Sequence, residues 1–176
     1  RVVGRDVVEP PVDARQYPSP LSSYRHYNKD LEDESLIRVS NMPKEARVRL
    51  GAMDVYDGTT FGMGVTNTAD GTAGYRRVGS TIPGRSADTA GVQTSVSTSQ
   101  LLGPWVPTIG QVSVLRFEPS APNAAEQQDG LNYDLWADTA LTTGPTGQLS
   151  YSLSTTMPRE HADSEFASVN AARYAG

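Results

Sequence analysis

Between residues 35 and 157 the chain runs as short β-prone segments broken by Gly, Pro, Asn or Asp, and this punctuation most constrains its fold. The clearest segment, QLSYSLSTTM at 148–157, places Leu149, Tyr151 and Leu153 on one face and Ser150, Ser152 and Ser154 on the other. Such two-residue alternation suits a strand with one packed and one wet face, and a helix with its 3.6-residue period cannot use it. ARVRLGAMDVY at 46–56 alternates too, with Ala46, Val48, Leu50 and Ala52 on one side and Arg47 and Arg49 on the other. SLIRVS, TTFGMGV, YRRVGSTI, GVQTSVSTSQLL, WVPTI, QVSVLRFEP and NYDLWADTAL complete the series. Eight or nine short strands with almost no helical period predict an all-β domain, an antiparallel β-sandwich or barrel.

The ends read differently. EPPVDARQYPSP has four prolines in 12 residues, which blocks helix interiors and central strands. Residues 1–34 are therefore expected to form an irregular Pro-rich N-terminal arm, in which LSSYRHYNKDLEDE makes a short helix or a turn. Residues 35–158 form the β domain. Residues 159–176 form a tail in which HADSEFASVNAARY predicts a short C-terminal helix. The opening RVVGRDVVEPP, without an initiator Met, is read as the continuation of a longer chain.

Composition narrows the chemistry. Residues 1–77 carry 11 basic and 11 acidic groups, and residues 78–176 carry 4 and 9, so the net charge of −5 arises in the second part (4 − 9 = −5). That part offers phosphates no basic stripe, so no nucleic-acid partner is expected. The chain has no Cys, which excludes disulfides, thiolate metal sites and a Cys nucleophile within it. No apolar run approaches the roughly 18–20 residues of a membrane-spanning helix. Of the 15 basic residues only Lys29 and Lys44 are Lys, a bias typical of high-GC bacterial genomes.

LGAMDVYDGTTFGMGV at 50–65 is the stretch most suggestive of a site, because Asp54 and Asp57 precede Gly58. The spacing fails the calcium-loop pattern, and position 64 is Gly where that pattern needs Glu. Residues three apart on a strand point to opposite faces, so the two carboxylates would not converge on a substrate. Asp-Gly between two strands predicts instead a two-residue hairpin turn with Gly58 at positive φ. His26, between Tyr24 and Tyr27, and His161, near Asp163, lack a nucleophile-elbow context, so solvated histidines are expected. Two histidines without Cys would need carboxylates to complete a zinc site. GTAGYRRVGSTIPG lacks the Walker lysine, which leaves Arg76 and Arg77 as charges on a strand and its loop. No catalytic, cofactor or metal residue is expected.

The aromatic residues leave two readings open. Trp105, Trp136, Tyr133 and Tyr151 lie in or beside predicted strands. Exposed, they would stack on sugar rings; buried, they would fill the core. Trp105, Trp136 and Tyr133 are the candidate ligand contacts. An independent carbohydrate- or cell-wall-binding module is the corresponding alternative function.

The order of several short motifs adds a resemblance. YPSPLSSYRHYNKDLEDESLIRVSNMPKEARVRLGAMDVYDG, then YRRVGSTIP, WVPTIG and TTMP, resembles the extracytoplasmic segment of actinobacterial transglutaminase-like membrane proteins. The resemblance runs across most of residues 15–158. It implies N-terminal membrane helices before this segment and a core with a Cys-His-Asp triad after it. That core and those helices would be the domain's partners, with cell-wall material as a further one. The core's signature is absent here, so no catalytic residue carries over. Phe61 stands where the family often has Trp. The implied function is a non-catalytic extracytoplasmic scaffold, tethered to the membrane through its parent.

Overall fold

The structure is a computed structural model that describes residues 12–56, 58–59, 61–63, 74–85 and 91–157. In chain order it contains a 3-10 turn (Ala14–Gln16), α1 (Tyr24–Lys29), β1 (Ile37–Ser40), β2 (Val48–Arg49), β3 (Val55–Tyr56), β4 (Phe61–Gly62) and β5 (Arg76–Arg77). β6 (Val92–Ser99), β7 (Trp105–Val106), β8 (Thr108–Ile109), β9 (Gln111–Phe117), α2 (Ala124–Asp129), β10 (Leu131–Asp134), β11 (Thr139–Thr142) and β12 (Gln148–Thr156) follow.

Two four-stranded antiparallel sheets, ordered β1-β6-β12-β9 and β5-β10-β11-β7, form an all-β, sandwich-like fold; β2-β8 and β3-β4 make two smaller pairs. Alternation organises the first sheet as expected. Val96, Leu115, Phe117, Leu149, Tyr151 and Leu153 turn inward and join Val106, Leu131, Tyr133 and Ala140 of the second sheet in one buried cluster. Across the outer face the register aligns Ser97 with Arg38 and Ser150, and Ser95 with Ser40 and Ser152. The result is a polar, largely serine surface.

The two central strands of the second sheet are buried on both sides: all eight residues of β10 and β11 are buried. A second cluster explains this: Leu141 and Trp105 pack with Ala14, Met63 and Tyr75, against which Val12 and Tyr17 lie. The N-terminal segment is thus part of the packed domain. Val12 N donates to Tyr75 O at 2.8 Å, and the Trp105 indole Nε1 donates to Pro18 O at 3.1 Å. Prolines keep this segment out of the ladders, while its few apolar side chains cover the sheet.

Several boundaries differ from the sequence expectation. NYDLWADTAL is not one strand: it breaks after Asp134 into a hairpin, with Asp138 at φ 51°. Strands packed on both faces lose the alternation that would have marked the break. ARVRLGAMDVY likewise divides into β2 and β3. Helix α2 was unpredicted, because a single six-residue helix displays too little period to be read. Tertiary contacts fix it: Gln127 Nε2 donates to Pro145 O and Gln148 O at 2.7 and 2.9 Å. The expected C-terminal helix lies outside the described residues.

The Asp-Gly stretch is a hairpin, but not a two-residue one. Tyr56 pairs with Phe61, so four residues, 57–60, separate the paired positions, with Gly58 at φ +98°. A Cβ at Gly58 would meet nothing within 4 Å, so substitution there is opposed by the backbone angle alone. Gly58→Val should cost about 1–3 kcal/mol, and Asp57→Asn should be nearly neutral. Denaturant melts of the two variants check this. A damaging Asp57→Asn beside a silent Gly58→Val would show a chemical role for position 57.

Candidate contact surface at the Trp136 hairpin

The three candidate aromatics separate cleanly. Trp105 and Tyr133 are 2% and 1% exposed, whereas Trp136 is 71% exposed. Trp105 lies 6.3 Å from Tyr75, ring centre to ring centre, in the cluster beneath the N-terminal segment. Tyr133 belongs to the inter-sheet core, as does the fully buried Tyr151. They form no exposed planar row, and of the three only Trp136 is available to a partner.

Local chemistry explains how Trp136 is held out. Asp134 ends β10, and its buried carboxylate Oδ1 accepts from Trp136 N at 2.9 Å and Ala137 N at 3.2 Å. This side-chain mimic of a turn is a common use of Asp at such positions. Asp138 closes the hairpin from the other side. Its Oδ1 accepts from Arg85 Nη2 at 2.6 Å and from the Tyr133 hydroxyl at 3.1 Å. Its carbonyl accepts from Thr108 Oγ1 at 2.9 Å and Arg49 Nη1 at 3.3 Å, and Arg49 also reaches Ala137 O at 3.2 Å. Side chains from β2, β8 and the segment before β6 therefore clamp the hairpin that carries one exposed indole.

The electrostatics agree with a structural clamp. Burial pushes the Asp138 carboxyl above its ordinary value, while Arg85, the Tyr133 hydroxyl and Arg49 pull it back. Burial, reinforced by the Asp138 charge, drives the Tyr133 phenol far up. Tyr75, whose hydroxyl lies 2.7 Å from Thr139 Oγ1, is raised to about 12, chiefly by burial. Each phenol stays protonated at neutral pH.

The remaining candidates do not converge. His26 Nδ1 of α1 lies 2.8 Å from Oδ2 of Asp30, the residue that caps the helix. Asp54 is exposed just before β3, and Asp57, His161 and Asp163 lie outside the described residues. Arg77 Nε donates to Asp129 O at 2.8 Å, tying β5 to the end of α2. Among the described residues no group of three or more His, Asp or Glu could hold a metal ion. Sequence reasoning missed Arg49, Arg85, Thr108 and Asp138; the two Asp flanking LWA in DLWAD were the available signal.

No protein family matches the chain, and neither a curated protein nor a solved structure does so.

Proposed function

We propose that the chain is a non-catalytic extracytoplasmic scaffold domain of a transglutaminase-like membrane protein. Its partners are the core and membrane helices of that protein, and presenting cell-wall material to the core is its second role. The observation that carries the reading is how the reactive and aromatic groups are engaged. Arg85, Asp138 and Arg49 hold a hairpin, His26 pairs with its own helix, and Trp105 and Tyr133 lie in the core. The order of motifs from YPSPL to TTMP supports the family assignment. An independent glycan-binding module draws support from Trp136, the one of the three candidate aromatics that is exposed.

The purified chain incubated with a glutamine-containing protein and a primary amine should incorporate no amine and cleave no amide. Turnover that disappears in His161→Ala would overturn the reading.

A further inference from the structure

We propose that the groove lined by the N-terminal segment and the chain around β2 binds an acidic peptide: an extended segment of a partner protein that carries a carboxylate beside apolar side chains. The groove has a volume of roughly 520 Å³, and the described residues that line it include two arginines, Arg47 and Arg49, and no acidic side chain. Leu21 and Tyr24, 63% and 61% exposed, give it an apolar wall left in water. The two guanidinium groups are not equivalent. Arg49 Nη1 is taken by Ala137 O and Asp138 O at 3.2 and 3.3 Å. Arg47 is exposed, and among the described residues it meets neither a carboxylate nor another hydrogen-bond acceptor. It is the cation left for a ligand, and a carboxylate is the group a guanidinium holds best, through two parallel hydrogen bonds.

The backbone supplies a second contact. Gly51 and Met53 line the groove between β2 and β3, where the chain forms neither helix nor ladder, and Gly51, Ala52 and Met53 are each partly buried. Among the described residues no hydrogen bond reaches the N–H or C=O of these three. Backbone groups withdrawn from water call for partners. An extended peptide can supply them by pairing as an added strand, its side chains alternating between the apolar wall and the arginines. The groove is built rather than left between loose loops. A Cβ on Gly51 would lie 3.0 Å from Pro20 Cγ and 3.3 Å from Met63 Cε, so bare backbone lets the two segments meet there. The Tyr27 hydroxyl, also in the lining, accepts from Leu102 N at 2.7 Å. A free anion would leave the wall and the backbone unused, and an apolar ligand would leave Arg47 unused. An acidic peptide uses all three.

Panning a random heptapeptide library against the full chain should enrich sequences in which Asp or Glu stands within two residues of Leu, Ile, Phe, Tyr or Trp. The most enriched peptide, synthesised and titrated into the isotope-labelled chain, should shift the amide signals of residues 20–27 and 47–53 and leave those of Ser95–Ser99 in place. Hydrogen exchange at Gly51–Met53 should slow in the complex. Arg47→Glu, at an exposed position, should keep the melting temperature and weaken the peptide about tenfold or more. The same peptide with its acidic residue changed to Lys should bind Arg47→Glu better than it binds the unaltered chain. Enrichment of no sequence or of one without acidic residues, shifts elsewhere, unchanged exchange, or equal affinity for Arg47→Glu overturns the proposal. So do concentration-dependent shifts of residues 20–27 and 47–53 in the chain alone, which would make a second copy the occupant.

Discussion

Trp105→Ala is expected to lower the unfolding free energy by about 3–5 kcal/mol, the range for removing a large buried aromatic. Trp105 is 2% exposed, contacts the second sheet and the N-terminal segment together, and donates its indole hydrogen to Pro18 O. Truncation therefore opens a cavity and leaves that carbonyl without its partner. Trp136→Ala should change stability by no more than about 0.5 kcal/mol, as exposed positions usually do. Urea melts of the two variants compare core with surface directly. Equal costs, or a larger one at Trp136, would mean the roles of the two indoles are reversed.

Arg85→Met is expected to cost about 2 kcal/mol near pH 7, below the range for a fully buried pair because both side chains retain some solvent contact. The loss leaves the Asp138 carboxylate facing the Tyr133 hydroxyl without its nearest cation. Its pH dependence identifies the mechanism. Burial already raises Asp138 above its ordinary 3.8, so its contribution to stability is complete below that value and declines as pH rises through the folded value. Removing Arg85 raises the folded value further. The variant's deficit should accordingly be small near about pH 3 and grow toward about pH 7. Arg85→Lys should fall between, retaining charge without the guanidinium fork. A deficit independent of pH would assign Arg85 a packing role instead.

Legibility followed burial geometry. β6 and β12 were readable because each has one wet face, where Ser95, Ser97, Ser150 and Ser152 alternate with Val96, Tyr151 and Leu153. β10 and β11 were not, since Asn132, Asp134, Thr139 and Leu141 are buried too, Leu141 against a segment whose prolines mark it as irregular. Composition could say only that the N-terminal segment makes no ladder, and its packing depends on partners far along the chain, Tyr75 and Trp105 among them. The hairpin clamp was hidden for the same reason: Arg49, Arg85 and Thr108 meet Asp138 only after the sheets assemble. Trp136 could not be distinguished from Trp105 because both lie in apolar runs. The Asp residues on either side of Leu135–Ala137 marked the difference, through turn chemistry rather than hydrophobic period.

The scaffold reading rests most heavily on what adjoins this domain in its protein, and the coding sequence on both sides of residues 1–176 tests it in one measurement. A group of apolar helices should be encoded upstream and, downstream, a domain carrying Cys, His and Asp in transglutaminase-like order. A reading frame that supplies neither, encoding this domain alone, would contradict it.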